Sequence, residues 1–234
     1  SPNLVDDEEI NLRDTCRALA GNLDKYIIDN TVVAVSWGNT LNCLAGQIQP
    51  LKAKDIKVVQ LNGGVAKSAS STGASQIVDA LTMAGHGIGY MFPVPAIVDS
   101  KHTSEILQEE TQVKNVLRLA KEAEVSIFSI GALSKDSILY EVEYLKDEDF
   151  QALEKNKAVG DIASRYFDIN GNIALKELDD RVVGFGLEEL REKEWTIAIA
   201  VGVNKVDAII GALRAGFMNV LYTDEKTARE ILNR

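Results

Sequence analysis

The sequence has little cysteine, little histidine and no long apolar run. Cys16 and Cys43 are the only cysteines among 234 residues, too few for a disulfide framework. Because no signal-like stretch is present either, we expect the reducing cytoplasm as the compartment. His86 and His102 lack any metal-ligand spacing, so we expect no bound metal. No apolar run approaches the ~20 residues of a membrane span, and we expect no membrane partner.

Basic residues are also few. The chain has 25 Lys and Arg against 35 Asp and Glu, a formal net charge of −10. Affinity for nucleic acid comes largely from Lys and Arg that displace counterions, so the residues of this acidic chain are not expected to bind DNA. The motifs G-x-x-x-x-G-K-[ST] and G-x-G-x-x-G are both missing. Neither a nucleoside triphosphate nor a dinucleotide cofactor is therefore expected.

The composition is that of a globular protein. The hydrophobic fraction is 46% and the charged fraction is 26%, both ordinary values. A chain of this length buries roughly 70–75% of its extended-chain surface, so its core needs no disulfide or metal to be stable. No internal repeat or linker interrupts the sequence. We expect one domain over residues 1–234, with a hairpin-bearing insert at residues 157–185.

Strand and helix patterns alternate along the chain. Residues 32–36, 125–130 and 196–201 are nearly continuous apolar runs, typical of strands covered on both faces. The alternation predicts an α/β fold with a mostly parallel sheet and helices on both faces. Further strands are predicted at 56–61, 87–91 and 219–222, and helices at 7–29, 39–49, 72–84, 103–109, 111–122, 146–156, 205–215 and 224–232.

The dipeptide Asn170-Gly171 is a strong hairpin signal. It predicts a turn between strands at residues 165–168 and 173–175. The surrounding residues 168–172 faintly resemble a calcium-binding loop. Their glycine is out of place and the distal Glu is missing, so the hairpin turn is the preferred interpretation.

Three strand-to-helix junctions carry glycine beside hydrogen-bonding side chains, at residues 37–40, 60–64 and 202–205. In open parallel sheets, ligands bind at the carboxyl ends of the strands. In the first junction, Gly38 would let backbone N–H groups approach a ligand. Trp37 beside it is either core packing or the wall of a sugar pocket. Each junction is either a plain capped turn or part of an anion site.

Lys205 is the residue that best separates these two interpretations. Asn204 is the predicted N-cap of a helix whose buried face is Val206, Ile209, Ile210 and Leu213. A cation in the first turn costs a few tenths to about 1 kcal/mol unless an anion lies nearby. Free helix N–H groups together with an ammonium group form a phosphate site. The alternative is that Lys205 simply extends into water.

Five segments occur in order along the chain: VSWGNTL, VVQLNGGV, AVGDIASRYFDINGNI, VGVNKVDAIIGAL and NVLYTDEKTAREIL. Together they resemble the effector-binding domain of SorC/DeoR-type bacterial transcriptional regulators. The resemblance implies a fold akin to the sugar-phosphate isomerase and coenzyme A transferase superfamily, and a phosphorylated sugar or polyol as effector. It also implies homo-oligomers, as dimers or tetramers. Operator DNA would be bound only by an upstream helix-turn-helix domain that is absent from this chain.

Matched position by position, the resemblance implies a set of effector-binding residues. The phosphate would rest on Gly38, Asn39, Thr40 and Lys205, while Asn62, Thr72 and Asp161 would contact sugar hydroxyls, with Gly63 beside Asn62 and Pro95 lining the pocket. A carboxylate at Asp161 can accept hydrogen bonds from two adjacent hydroxyls. Its alternative role is to cap a local turn.

Asn62 departs from the family pattern. Several branches of the family carry a basic residue before the paired glycines, and regulators of deoxyribonucleoside use resemble LKGG there. Asparagine cannot form a Schiff base with an aldehyde sugar or pair with a second phosphate. A sugar or polyol monophosphate held by hydrogen bonds is therefore expected.

Three function classes follow, with a ligand-sensing domain preferred. The rival is a sugar-phosphate isomerase, which needs a group placed to shuttle a proton between adjacent carbons. Asp161 is its only good candidate, so we expect no catalytic residues and no enzyme. The third class is a purely structural oligomerisation module, which would bind no phosphosugar.

Overall fold

A computed structural model describes residues 7–65 and 74–234 of the chain. Its main element is a six-stranded, all-parallel sheet with the strand order β3-β2-β1-β4-β8-β9. The strands are β1 (Val32–Val35), β2 (Lys57–Gln60), β3 (Ile88–Tyr90), β4 (Val125–Ser129), β8 (Trp195–Ile199) and β9 (Val220–Tyr222). The prediction of a mostly parallel α/β sheet is confirmed.

Helices cover both faces of this sheet. They are α1 (Glu8–Ala20), α2 (Asn39–Ala45), α3 (Ala74–Ala84), α4 (Lys101–Glu109), α5 (Thr111–Glu122), α6 (Ile138–Glu141), α7 (Asp147–Lys155), α8 (Lys176–Asp179), α9 (Val206–Ala215) and α10 (Glu225–Leu232), with 3-10 turns at Leu23–Lys25, Leu187–Glu192 and Val203–Lys205. The predicted start of a helix at residue 72 lies outside the described residues. The predicted helices at 7–29 and 39–49 were too long, because α1 ends at Ala20 and α2 at Ala45.

The sheet separates two hydrophobic cores. Along β1, Val33 and Val35 face the core under α1, α2 and α3, whereas Val32 and Ala34 face the core under α5 and α9. Because successive side chains of a strand point to opposite faces, a strand covered on both sides must be apolar at every position. This explains the continuous apolar runs that marked the strands in the sequence.

A small antiparallel sheet stands beside the carboxyl ends of these strands. It consists of β5 (Gly131–Ala132), β6 (Ala158–Ile162) and β7 (Arg165–Asp168) in the order β5-β6-β7. The Gly131 backbone pairs with that of Asp161, so β6 runs along the chain that leaves β4.

The predicted turn at Asn170-Gly171 is present, since the Asp168 N–H donates to the Asn172 carbonyl across it, but the longer hairpin precedes it and was not predicted. Its strands are β6 and β7, and its turn is Ala163-Ser164, whose φ angles are 52° and 72°. After Asn170-Gly171 the chain makes only an isolated bridge, between Ile173 and Phe167. The Asp168 carboxylate accepts hydrogen bonds from the backbone N–H groups of two residues in its own loop, which gives a local turn.

Arg165 fastens the small sheet to the chain that follows it. Its guanidinium makes a 2.6 Å ion pair with Asp179 and donates to the carbonyls of Gly184 and Phe185, all in largely buried surroundings. Gly184 in turn packs against Asn62 at the end of β2. None of the described helices is long and apolar enough to cross a membrane.

Candidate functional site

A cavity of about 300 Å³ opens at the carboxyl ends of β1, β2, β4 and β8, where the small sheet meets the large one. Its volume is at the lower end of the range for small-molecule sites. It lies across the point where the chain turns from one half of the sheet to the other, since β2 and β3 lie on one side of β1 and β4 on the other. Six of the nine predicted site residues line it: Gly38, Asn39, Thr40, Asn62, Asp161 and Lys205.

The junction between β1 and α2 supplies backbone donors. Gly38 has φ 128° and ψ 173°, a conformation that is essentially restricted to glycine. The first N–H groups of a helix have no intrahelical partner, and no described side chain caps those of α2. Thr40 is buried, and its carbonyl accepts the Cys16 thiol at 3.6 Å, which holds this junction to α1.

Trp37 joins two of the strand ends. Its indole Nε1 donates to the carbonyl of Gly63 at 2.7 Å, while its ring belongs to a buried apolar cluster and also lines the cavity. The core-packing interpretation is therefore confirmed, and the sugar-pocket interpretation stays a prediction. The bond ties the chain after β1 to the chain after β2.

Lys205 lines the cavity from the junction after β8. It is the last residue of the 3-10 turn and stands immediately before α9. A helix capped by Asn204 would have begun one residue earlier, at Lys205 itself. The N-cap prediction for Asn204 was wrong, and Leu213 is 43% exposed rather than buried. Burial lowers the pKa of the Lys205 ammonium, whereas Glu8 and Asp161 oppose that shift. The two carboxylates thus favour the charged form of Lys205 in surroundings that otherwise disfavour it.

Hydrogen bonds and close packing at Gly202 hold the loop that carries Lys205. The Gly202 N–H bonds to the Asp224 carboxylate at 3.2 Å and to the Thr227 hydroxyl at 3.0 Å. Gly202 has φ 110°, and a Cβ there would lie 2.7 Å from Oε1 of Glu8. The first and last described helices thus both contact this loop.

Asp161 lines the same cavity as Lys205 and interacts with it electrostatically. Burial raises the pKa of its carboxyl to about 6, although the backbone N–H of Ser164 and the charge of Lys205 both act to lower it. Its Oδ2 accepts the Ser164 N–H at 3.1 Å, so the residue caps the β6–β7 turn and lines the cavity as well. A Cβ on Gly131 would lie 2.2 Å from Oδ1 of Asp161, so only glycine leaves room for this carboxylate.

Asn62 reaches the same turn from the end of β2. Its Nδ2 donates to Oγ of Ser164 at 3.1 Å, across 102 residues of sequence. The buried Gln60 side chain donates to the carbonyl of Asn62 at 2.6 Å and accepts the Phe92 N–H. These bonds hold Asn62 firmly in place.

Two of the predicted residues do not line the cavity, and a third is not described. Thr72 lies outside the described residues. Gly63 and Pro95 pack against each other beside the cavity: a Cβ on Gly63 would lie 2.4 Å from the Pro95 carbonyl oxygen. Neither is among the described lining residues.

The outer wall of the cavity, which we define as residues 134–139, was not predicted from the sequence. It follows β5 and contributes Ser134, Asp136, Ser137, Ile138 and Leu139 to the lining, with Ser129 and Tyr166 beside it. Tyr166 bonds to Ser137, and burial raises its pKa well above the usual range. The only signal for this wall was a cluster of serines after an apolar strand.

A surface cluster holds the outer wall to α7. The Lys135 ammonium lies 3.2 Å from the Asp147 carboxylate and 5.3 Å from the ring centres of Tyr140 and Phe150. The Tyr140 hydroxyl donates to the same carboxylate at 2.5 Å. Both contacts lower the pKa of Asp147.

Fold and cavity together define an α/β domain with a polar cavity at the carboxyl ends of its parallel strands. Comparison with known proteins gives the family. The model of the Sugar-bind family, described as "Putative sugar-binding domain", matches residues 2–233. The chain belongs to this family of sugar-binding domains, whose relatives include transcriptional regulators of the DeoR and SorC type.

Individual relatives agree with this assignment. The chain is 33% identical over 220 residues to the "Deoxyribonucleoside regulator" of Bacillus subtilis (strain 168), covering 94% of this chain and 70% of that protein. A DeoR family transcriptional regulator from Listeria monocytogenes superimposes with a TM-score of 0.89 at 26% identity, covering 98% of this chain and 91% of that one. A domain of a possible sugar-binding transcriptional regulator from Arthrobacter aurescens TC1 gives 0.90 at 28%, covering 99% and 90%.

Proposed function

We propose that this domain senses a sugar or polyol monophosphate on behalf of a transcriptional regulator. The observation that carries the proposal is the polarity of one cavity. Its lining combines uncapped N–H groups and the Lys205 ammonium, which we call the anion end, with the Asp161 carboxylate and the Asn62 amide, which we call the hydroxyl end. Helix N-termini with an adjacent cation bind phosphate, and carboxylates accept from hydroxyls.

The assignment of groups to the ligand follows from this polarity. Phosphate would bind the N–H groups of residues 38–40 and Lys205, while sugar hydroxyls would bind Asp161 and Asn62. Because a monophosphate has one anionic end and one neutral end, it matches both ends of the cavity. Gly63 and Pro95 would act by shaping the approach to Asn62, and contact of Thr72 with a sugar hydroxyl stays a prediction.

The regulatory step is a shift between oligomeric arrangements. Ligand can bias such an equilibrium only through its different affinity for the two arrangements. In the cytoplasm, a helix-turn-helix domain attached to this one would follow the shift and change its hold on operator DNA. Sedimentation of the chain with and without a bound sugar phosphate would reveal the change as a ligand-dependent dimer–tetramer ratio.

Calorimetry on Lys205→Ala tests the phosphate end. Hydrogen bonds to a charged group contribute about 1.5–3 kcal/mol, so the variant should bind a sugar phosphate roughly 10- to 150-fold more weakly. The unphosphorylated sugar should bind both proteins equally. Lys52→Ala, at a lysine whose side chain is 89% exposed, removes the same charge and is the matched control. Equal losses for the two sugars would remove Lys205 from the phosphate role.

One observation favours an isomerase as the second candidate. A carboxyl with a pKa of about 6 is tuned for proton transfer near neutral pH. Aldose–ketose conversion by Asp161 would be detected as product that exceeds the amount of protein, in a colorimetric assay over pentose and hexose phosphates. Saturable binding without turnover would favour the sensor.

A further inference from the structure

The amide oxygen of Asn62 stands out among the polar atoms of the cavity. Asn62 is 2% exposed and lines the cavity, yet its Oδ1 has no hydrogen-bond partner within the described residues. Buried polar atoms are nearly always paired, so an unpaired acceptor beside a ligand cavity points to a donor on the ligand.

The bonds around Asn62 determine which amide atom is available. Nδ2 already donates to Oγ of Ser164, which leaves Oδ1 as the free end of the amide. The backbone is equally constrained, because Gln60 binds the Asn62 carbonyl and a Cβ on Gly184 would lie 2.9 Å from its Cα. An acceptor held in place in this way selects for a ligand group that can donate there.

We propose that Oδ1 of Asn62 accepts a hydrogen bond from a sugar hydroxyl, and that the site thereby selects hydroxylated sugar phosphates over their deoxy counterparts. This inference rests on the proposed function. A methylene group at that position could not donate, and would leave the amide oxygen buried without a partner. The Bacillus subtilis relative is named for a deoxyribonucleoside. For this chain we expect the hydroxylated class instead.

Matched sugar pairs test the proposal by calorimetry. The probes are ribose 5-phosphate with 2-deoxyribose 5-phosphate, and glucose 6-phosphate with 2-deoxyglucose 6-phosphate. The unmodified protein should favour the hydroxylated member of at least one pair by roughly 2- to 13-fold, the range of a single neutral hydrogen bond. Asn62→Leu should remove that preference, whereas Asn233→Leu, at an exposed asparagine, should keep it.

A second variant guards against misfolding at the buried Asn62. Ser164 has φ 72°, a conformation that glycine adopts readily, so Ser164→Gly should fold while releasing Nδ2 of Asn62. The freed amide can rotate, and the hydroxyl preference should fall toward that of Asn62→Leu.

The outcomes separate this inference from the proposed function. If phosphorylated probes bind and depend on Lys205, but neither pair shows a preference that Asn62→Leu removes, only the role of Asn62 is overturned. If no phosphorylated probe binds, or if Lys205→Ala changes nothing, the proposed function fails and takes this inference with it.

Discussion

The two ends of the cavity are built differently. The proposed anion end, residues 38–40 with Lys205, consists mainly of backbone N–H groups at strand-to-helix junctions of the large sheet. The proposed hydroxyl end, Asn62, Asp161 and Ser164, forms where the small sheet meets the end of β2. Under the proposed function, backbone donors bind any phosphate ester, whereas side chains held by one another discriminate between sugars. General affinity would then come from the large sheet alone, and selectivity from the contact between the two sheets.

The sharpest test of this contrast is Asp161→Asn. Burial raises the pKa of the carboxyl from 3.8 to about 6, so the folded protein binds the proton more tightly than the unfolded chain. Its stability should therefore fall as pH rises from about 4 to about 6, and the variant should lack this loss. At pH 7.5 the variant should be more stable by about 2–3 kcal/mol, measured by denaturant unfolding.

The same variant should bind hydroxylated ligands more weakly but lose no affinity for inorganic phosphate, because the charge it removes is negative. A variant that loses stability at pH 7.5, or one that keeps the pH dependence, would contradict the role given to burial of this carboxylate.

Gly38→Ala tests the proposed anion end of the cavity. Its φ of 128° and ψ of 173° exclude a side chain, so the variant should lose about 1–3 kcal/mol of stability. Inorganic phosphate should bind more weakly because the N–H groups after residue 38 are displaced. Gly64→Ala is the control, since a Cβ there meets nothing within 4 Å. Unchanged phosphate binding in Gly38→Ala would show that this junction is not the anion site.

Gly131→Ala affects the hydroxyl end without touching its charge. The new Cβ would collide with Oδ1 of Asp161 at 2.2 Å and push the carboxylate aside. We expect hydroxylated sugar phosphates to bind about 10-fold more weakly, in line with the loss of one charged hydrogen bond. Titration with inorganic phosphate should give the unmodified affinity, and a parallel loss there would break the division between the two ends.

Lys135→Met should have the smallest effect. The variant removes the ion pair that holds the outer wall, and exposed pairs are weak, so ligand release should quicken by no more than about 5-fold. Stopped-flow exchange with a labelled sugar phosphate would measure it. Lys146→Met, which breaks the exposed pair with Asp99, is the matched control. The same release rate in both variants would mean that the wall needs no such fastening.

The presence of residues 38–40 and Lys205 in the cavity lining was predictable because their signals are local. Glycine and small polar residues between an apolar strand and a helix are contiguous in sequence, and Lys205 follows directly after such a junction. The hydroxyl end was not predictable from residue patterns, since it depends on a contact between Asn62 and Ser164 across 102 residues. Its hairpin turn, Ala163-Ser164, adopts positive φ without glycine or asparagine, so no local turn signal marked it.

The clamp behind Lys205 has a practical consequence. Because α1 reaches Gly202 through Glu8 and α10 reaches it through Asp224 and Thr227, a displacement of this loop is shared by two helices distant in sequence. Fluorescent probes on the outer surfaces of α1 and α10 would then report whether the cavity holds a ligand, without contact between probe and ligand.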